Sequence, residues 1–356
     1  MLGIDNESTS EVILTIAIPT FDRCEQLIQL LKSLEPVFTT SGLEILILDN
    51  ASKDRTREIC LEIANSNPIV KYIRNEFNLG IEGNIIKALI SPNSKYIWLL
   101  SDHMICYPEI ITSTVIPILT KSDADLVYAT ISEYGNHELV TPAFIPVDIL
   151  STKEFCHLFF WMSNISAFMV KKTFLEQNIY FIYKFAIYTY PHLGLFTNLF
   201  LSNQNRFLIL PTCTRFQNFT DSSSTLKKSY PKFKTTVIKL GESLKEMNIY
   251  NFQNQKKIMP SDIYKHVSLF RSSAWENLSM GLIRRNERIL LSEIFDLLRL
   301  FGWRTIPLVL SALFMWISPF KFRPFIRHLS TFIYYGFQYG LKVAYKDTSK
   351  IYNKKL

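Results

Sequence analysis

The stretch Val12-Ile13-Leu14-Thr15-Ile16-Ala17-Ile18-Pro19-Thr20-Phe21-Asp22-Arg23 decides the fold class. Its first seven residues are apolar or β-branched, which predicts a buried strand over Val12–Ile18 that ends at Pro19. The following segment, Arg23–Leu34, carries leucines at the three- and four-residue spacing of a helix. A buried strand that leads at once into an amphipathic helix is the repeating unit of α/β folds.

The same alternation of strand and helix continues to about residue 131. Further strands are predicted at Leu43–Leu48, Ile69–Ile73, Tyr96–Leu100 and Asp125–Ile131, and helices after Asp54 and over Glu82–Ile90 and Pro108–Leu119. Apolar strands between amphipathic helices predict a Rossmann-like α/β fold, with a mostly parallel sheet and helices on both faces. Polar residues follow the first, second and fourth strands, and ligands bind at that edge in open α/β sheets.

The positive charge of the chain is concentrated near its C-terminal end. The chain has 39 Lys and Arg against 31 Asp and Glu, a formal net charge of +8. Nine of these cations and one of these acids lie between Phe301 and Leu356, so this segment holds the whole excess and the first 300 residues are neutral. A nucleic-acid-binding protein spreads its cations over a folded domain, so the pattern argues against a nucleic-acid partner.

The charged segment also has an apolar pattern. Ile306–Phe320 contains no charged residue, and as a helix it would measure roughly 22 Å, short of the ~30 Å hydrocarbon core of a bilayer. Apolar residues then recur at helical spacing on one face, namely Phe322, Phe325, Ile326, Leu329, Phe332 and Ile333. The basic residues Arg323, Arg327 and His328 lie off this apolar stripe. This pattern predicts a basic amphipathic helix in a membrane interface. The alternatives are helices packed on the protein's own core and a helix that spans the membrane.

The five cysteines are far apart in the sequence and form no Cys-X-X-Cys pair. This spacing predicts reduced thiols in a cytosolic environment. Together with the basic tail, it predicts a peripheral protein on the cytoplasmic face of a membrane.

Four segments carry a resemblance to a known family. They are Ile16–Arg23, Leu46–Thr56, Asn75–Asn84 and Trp98–His103, in this order along the chain. They are similar to the opening strand and turn, the second strand end, the Asn-Gly loop and the acidic metal signature of family 2 glycosyltransferases. The resemblance covers about residues 11–135 and is to the bacterial surface-polysaccharide and O-antigen type.

The resemblance implies a GT-A fold and a transferase that moves a sugar from a nucleotide-diphosphate donor to an acceptor hydroxyl, usually with inversion. With the membrane tail, it suggests a lipid-linked glycan acceptor in surface polysaccharide synthesis. The expected domains are a GT-A domain over 1–225, with a nucleotide-sugar half at 11–131 and an acceptor half at 132–225, a helical region at 226–300 and the tail at 301–356.

The resemblance also implies a donor site at the strand ends. Asp49 or Asn50 would hydrogen-bond the base, although Asp49 has an alternative role as the cap of the Ser52–Thr56 turn. Arg23 either neutralises phosphate or is simply solvated. The full set of predicted nucleotide-sugar residues is Pro19, Thr20, Asp22, Arg23, Asp49, Asn50, Asn78, Gly80, Asn84, Ser101 and Asp102.

The predicted metal site departs from the family pattern. Asp102 matches the first acidic residue of the signature and is also the predicted catalytic carboxylate, but His103 stands where a second acid is usual. Imidazole is an adequate ligand for Mn²⁺ and a poor one for Mg²⁺. Three alternatives follow: a transition metal on both residues, a metal on Asp102 alone, or a metal-independent enzyme.

The acceptor half matches the family less well, because no Glu-Asp pair occurs where inverting members often carry their base. His192 lies in a segment similar to that of some bacterial members, and it would act as the base, as a metal ligand or as a structural histidine. Trp161 and Asn164 are predicted on the acceptor side, with core packing as the alternative. The missing carboxylate and His103 leave a second function open, a non-catalytic binding or scaffold subunit of a polysaccharide assembly.

Overall fold

The structure is a computed structural model, and it describes residues 11–132, 143–145, 150–196, 206–216, 237–249, 256–267 and 291–319, with single positions at 274, 278, 282, 322–323, 325–327 and 329. Of the predicted amphipathic positions, Phe332, Ile333 and His328 lie outside the described residues.

A single sheet of nine strands is formed by the described residues. The strands are β1 (Leu14–Thr20), β2 (Leu43–Asp49), β3 (Val70–Arg74), β4 (Tyr96–Leu99), β5 (Met104–Cys106), β6 (Leu126–Ser132), β7 (Ala143–Ile145), β8 (Phe168–Lys171) and β9 (Phe207–Phe216). Their order is β3-β2-β1-β4-β8-β6-β9-β5, and β7 pairs with β9. The strands β3, β2, β1 and β4 are parallel, whereas β8 is antiparallel to both β4 and β6.

Three helices follow the first three strands: α1 (Cys24–Leu34), α2 (Thr56–Ser66) and α3 (Gly80–Ile90). A further helical segment consists of Pro108–Ile110, a π-helical turn at Ile111–Val115 and Ile116–Lys121. Further helices among the described residues include Thr152–Met162, Lys172–Gln177, Ile179–Ala186, Lys239–Met247, Pro260–His266, Leu291–Phe301 and Ile306–Ile317.

The α/β fold predicted from the sequence is confirmed. Each strand and helix predicted between residues 12 and 131 is present, with ends that differ by two residues at most. The sheet contains further strands that the sequence did not predict, β5, β7, β8 and β9. The first three of these are three or four residues long, too short for an alternating pattern to be recognised.

The apolar runs of β1, β2 and β4 form the centre of the core. Leu14, Ile16, Ile45, Ile47 and Trp98 are fully buried in it. These strands are buried because helices cover both faces of a parallel sheet, which is why their sequences are continuously apolar.

The chain divides into two compact units, which differ from the predicted domains. The first contains Met1–Leu150, Trp161–Ser222 and Asn251–Gln255, and the second contains Ser151–Phe160, Ser223–Tyr250 and Lys256–Leu356. The division near residue 222 lies close to the boundary expected at 225. The expected helical region and tail fall in one unit, where Leu291–Phe301 packs against Pro260–His266 and Ile306–Ile317. In the part of the chain that the structure describes, no helix has both the length and the apolar character needed to cross a bilayer.

Candidate active site

The ends of β1 and β4 bring three predicted residues together. Pairing of β1 with β4 ends at Ala17 and Leu99, and beyond it the Thr20 hydroxyl donates to Oδ2 of Asp102 over 2.9 Å. Arg23 donates from Nη1 to the other oxygen, Oδ1, also over 2.9 Å. Asp102 therefore has both carboxylate oxygens oriented by groups from the first strand and turn.

Asp102 is an ionised carboxylate although it is 2% exposed. Burial by itself would raise the pKa of the Asp102 carboxyl, but its contacts with His103 and the charge of Arg23 outweigh burial and lower the pKa. The Nδ1 atom of His103 lies 3.5 Å from Oδ1 of Asp102 and 2.7 Å from the Ser101 hydroxyl oxygen. The site thus holds a buried negative charge next to a partly exposed cation.

The turns after β1 and β2 hold each other in place. Asp22 and Ala51 both have positive φ values, of 49° and 65°, which are sparsely populated by residues other than glycine and store strain. The Asp22 backbone N–H donates to the Ser52 hydroxyl oxygen over 2.9 Å, and its Oδ1 accepts from the Lys53 backbone N–H. Asp22 is exposed at the site, but the structure uses its carboxylate in part to join the two turns.

Asp49 is a structural residue of the second turn. It is fully buried, and its Oδ1 accepts from the Ser52 backbone N–H over 2.8 Å, which is the capping role left open above. Its Oδ2 accepts from the Tyr72 hydroxyl over 2.7 Å and lies 3.3 Å from Nε of Arg74. Burial, followed by the bond to Asp49, raises the pKa of Tyr72 well above its usual value. These contacts give Asp49 a role other than the predicted contact with the base.

Asn50 connects the second strand to the loop after β3. Its Nδ2 donates to Oδ1 of Asn78 over 2.9 Å and to the Gly80 carbonyl oxygen over 3.0 Å. Its Oδ1 accepts from Nδ2 of Asn75 over 2.9 Å and from the Leu79 backbone N–H over 2.8 Å. All four hydrogen-bonding positions of the Asn50 amide are used, so the predicted contact with the base is replaced by a role in shaping the loop.

Asn84 extends the same hydrogen-bond network. Its Nδ2 donates to the Leu48 carbonyl oxygen and its Oδ1 accepts from Asn75, each over 3.0 Å, and it is 4% exposed. Asn78 Oδ1 also accepts from the backbone N–H of Gly80, whose φ of +77° starts α3. Of these three predicted donor-site residues, Asn84 is structural, whereas Asn78 is exposed and Gly80 half-buried at the site edge.

Sequence reasoning missed Tyr72, Arg74 and Asn75 as parts of this edge. Tyr72 and Arg74 lie two residues apart in β3, and Arg74 stands opposite Asp49 of the neighbouring strand β2. The third predicted strand already indicated this, because side chains two residues apart in a strand lie on the same face of the sheet. Asn75 lies in the Asn75–Asn84 segment, but the sequence assigned it no role. Its Oδ1 accepts a hydrogen bond from Nζ of Lys87 over 2.7 Å.

The predicted acceptor segment lies against the end of β4. The Ser101 backbone N–H donates to the Ser166 hydroxyl oxygen over 3.1 Å, and Trp98 Nε1 donates to the Ser166 carbonyl oxygen over 2.8 Å. Asn164 Oδ1 accepts from the Ser166 backbone N–H over 2.9 Å and caps a short 3₁₀ helix. Trp161 is half-buried near the end of Thr152–Met162.

The sequence matches a family model over residues 15–189, and the model is described as glycosyl transferase family 2. Residues 15–189 thus form a glycosyl transferase family 2 domain. It is therefore a glycosyl-transferring enzyme, as predicted. No curated protein matches the sequence.

Solved structures share the GT-A fold of this family 2 enzyme. One is S. aureus TarS 1–349 in complex with UDP-GlcNAc, with 13% sequence identity and a TM-score of 0.52 over 96% of this chain and 91% of that chain. Another is the same protein in complex with UDP, with 14% identity and a TM-score of 0.53 over 91% of each chain. At this level of identity the likeness shows the fold alone.

His192 has no access to an acceptor in this family 2 enzyme. It is fully buried between Phe168 and Tyr190, and Nε2 lies 3.0 Å from the carbonyl oxygen of Met162, to which it donates. Its Nδ1 is buried and has no hydrogen-bond partner among the described residues. Burial lowers the pKa of His192 to about 4. The predicted roles of His192 as base and as metal ligand are replaced by a structural one, which holds the start of the acceptor segment.

The low pKa of His192 predicts a loss of stability in acid. The unfolded chain takes up a proton near pH 6.5, whereas folded His192 does so only near pH 4. Stability is therefore lost as pH falls from about 6.5 to about 4, by up to about 3 kcal/mol. We expect His192→Gln to lose less stability than the wild type over this range in urea unfolding at pH 7.5, 6.0 and 4.5. His157→Gln is the control, because His157 also bonds a backbone carbonyl but is only half-buried. Equal losses in His192→Gln and wild type would contradict the assignment.

Family 2 enzymes often use a divalent metal ion, but Asp102 and His103 do not fit one as they are arranged here. Nη1 of Arg23 lies 2.9 Å from Oδ1 of Asp102 and 3.4 Å from Nδ1 of His103, so a guanidinium already occupies the position between the two donor atoms. The described residues contain no cluster of three or more His, Cys, Asp and Glu side chains that would hold a metal. The donor set thus consists of one carboxylate and one imidazole, both in contact with a cation.

Proposed function

We propose that this family 2 enzyme transfers a sugar from a nucleoside-diphosphate donor to a hydroxyl of a lipid-linked glycan in the synthesis of a surface polysaccharide. The observation that carries the proposal is the ionised Asp102, held by Thr20 and Arg23 at the carboxyl edge of β1 and β4. Ligands bind at this edge in open α/β sheets. The UDP-GlcNAc and UDP complexes of TarS, which has the same fold, support a nucleotide-sugar donor.

The proposed reaction is a direct displacement with inversion. The acceptor oxygen bonds to the anomeric carbon and passes its proton to water, while the bond from that carbon to the diphosphate oxygen breaks and its electron pair leaves with the nucleoside diphosphate. The chain's own contribution is placement of charge at the leaving group and a rigid cradle for the nucleotide. The asparagine network built on Asn50 and the joined turns of Asp22 and Ser52 supply that rigidity.

Release of nucleotide from a panel of UDP-, GDP- and dTDP-sugars by the purified chain tests the proposal. We expect one donor class to be hydrolysed slowly without acceptor and faster with a lipid-linked glycan. A chain that binds a donor and never releases nucleotide would favour the scaffold function instead.

The proposal includes a place of action, the cytoplasmic face of a membrane. Support comes from one face of the helix Ile306–Ile317, where residues three or four apart are 43–69% exposed: Ile306, Leu310, Phe314 and Ile317. The opposite face packs inward through Leu308, Val309, Ala312 and Met315. Large apolar side chains beside this helix are also exposed, namely Trp303, Phe322, Phe325 and Leu329. We call these eight exposed residues the tail face.

An anionic lipid surface is the partner that suits the tail face. The segment from Phe301 onward carries the entire excess of +8, and cations near an anionic leaflet contribute roughly 1 kcal/mol each. Arg304 lies over the Trp303 ring at 5.3 Å, a pair suited to the membrane interface. Arg323 has another role than the predicted one, since its guanidinium donates to the carbonyl oxygens of Trp316, Ser318 and Leu282 and closes the end of the helix.

Vesicle binding tests the tail face. We expect the triple variant Leu310→Ser, Phe314→Ser and Ile317→Ser to bind phosphatidylglycerol vesicles at least about tenfold more weakly than the wild type, because it lacks three exposed apolar side chains that would enter the lipid. The control is Tyr180→Ser, Tyr183→Ser and Ile187→Ser, which removes equally exposed apolar side chains from the first unit. Equal binding by wild type and tail-face variant would contradict the proposal, as would a wild-type dimer that becomes monomeric in the variant without vesicle binding.

A further inference from the structure

We infer that the Arg23 guanidinium takes the place of a divalent metal ion at the donor diphosphate, so that this chain binds its nucleotide without metal. The inference rests on the proposed function, because it assigns the residue that faces the diphosphate of that donor.

Arg23 lies where the metal ion of the family signature would bind. Its Nη1 contacts Oδ1 of Asp102 and Nδ1 of His103, the two residues that stand at the positions of the family's metal signature. A guanidinium is always charged, so a second cation at this point would be repelled by it. The cation of the site is therefore part of the chain.

The Arg23 guanidinium is accessible to a ligand, whereas the Asp102 carboxylate is not. Its side chain is 37% exposed, whereas that of Asp102 is 3% exposed, so the carboxylate lies behind the guanidinium and away from solvent. Among the described residues its side-chain bonds use Nη1. The fork of Nη2 and Nε therefore has donors to offer to phosphate oxygens, an arrangement that binds phosphate in a bidentate manner.

The neighbours of Arg23 hold its guanidinium in place. Arg23 directly precedes α1, and its carbonyl oxygen accepts from the Leu27 backbone N–H over 3.0 Å. On the other side Asp102 is fixed by the Thr20 hydroxyl. A charge held in position before the reaction stabilises the leaving diphosphate without reorganisation. His103 fits this arrangement, since an imidazole adds no negative charge beside Asp102. A second carboxylate at this position would add one and would favour a divalent metal ion.

Nucleotide binding with and without metal tests the inference. Titration calorimetry of UDP, GDP and dTDP is performed in EDTA and in Mn²⁺. We expect the wild type to bind its nucleotide equally well in both. Arg23→Ala should bind about tenfold or more weakly in EDTA, because a bond to a charged group is lost. It should recover in Mn²⁺, because the guanidinium that repels a second cation at this point is gone. Arg23→Lys should keep part of the metal-free binding.

The control is Lys32→Ala, which removes one charge from the exposed face of the same helix, about 14 Å along its axis from Arg23. It should bind as the wild type does, and thermal unfolding of each variant establishes that it is folded. Wild-type binding at least tenfold tighter in Mn²⁺ than in EDTA would overturn the inference and leave the proposed function standing. Absence of binding to all three nucleotides under both conditions would overturn the proposed function and the inference with it.

Discussion

Replacing Asp102 with asparagine is expected to reduce sugar transfer by about 100- to 1000-fold, the loss typical of removing one preorganised electrostatic group. The substitution keeps the shape of the side chain and removes its charge. Arg23 then loses the anion that holds Nη1 at 2.9 Å, and the Thr20 hydroxyl loses a charged acceptor. The cation at the donor diphosphate would no longer be fixed, so the effect should fall mainly on the rate of transfer.

The measurement is the initial rate of nucleotide release with the best donor of the panel, at saturating and at low donor concentration. Asp123→Asn is the matched control, because Asp123 also pairs with cations, Lys171 and Arg206, but lies on the surface outside the described site. It should leave the rate unchanged. A rate for Asp102→Asn within about threefold of the wild type would remove Asp102 from the catalytic site.

Asn50→Ala is expected to lower the free energy of unfolding by about 3 kcal/mol and to weaken nucleotide binding. The substitution removes four hydrogen bonds of 2.8–3.0 Å and leaves one N–H of the buried Asn75 amide and the Leu79 backbone N–H without an acceptor. Each bond contributes about 1 kcal/mol, and unsatisfied buried groups add to the cost. The loop from Asn75 to Gly80 should then exchange its amide hydrogens faster.

Urea unfolding and hydrogen exchange measure these two effects. Asn67→Ala is the control, since Asn67 makes a single side-chain bond, from Nδ2 to the Ile63 carbonyl oxygen over 3.0 Å at the end of α2. It should cost about 1 kcal/mol and leave exchange in the loop unchanged. Asn50 would be no more than an ordinary polar residue if the two variants were equally stable.

The sequence alone determined the first half of the fold. The runs that predicted β1, β2 and β4 are local patterns, because burial on both faces of a parallel sheet requires continuous apolar residues whatever the distant chain does. The same local reading placed Thr20, Asp49 and Asp102 at strand ends, and the structure has them there. Family resemblance added the chemistry, and the family match over residues 15–189 agrees with it.

Only the tertiary structure decided what those strand-end residues do. Asn50, Asn75 and Asn84 form one network although they lie as far as 34 positions apart, because β2 is the neighbour of β3 and α3 follows it. The antiparallel insertion of β8 between β4 and β6 brought Ser166 to the end of β4. No local period encodes such contacts, since strand order and register are set by how the whole sheet packs.

From the sequence, Arg23 was a cation at the start of a helix and Asp102 a carboxylate 79 positions later. The pairing of β1 with β4, two strands that are not consecutive in the chain, put them 2.9 Å apart. The sequence thus determined that a carboxylate stands at the carboxyl edge of the sheet, and the strand order determined that the cation beside it is a guanidinium of the same chain.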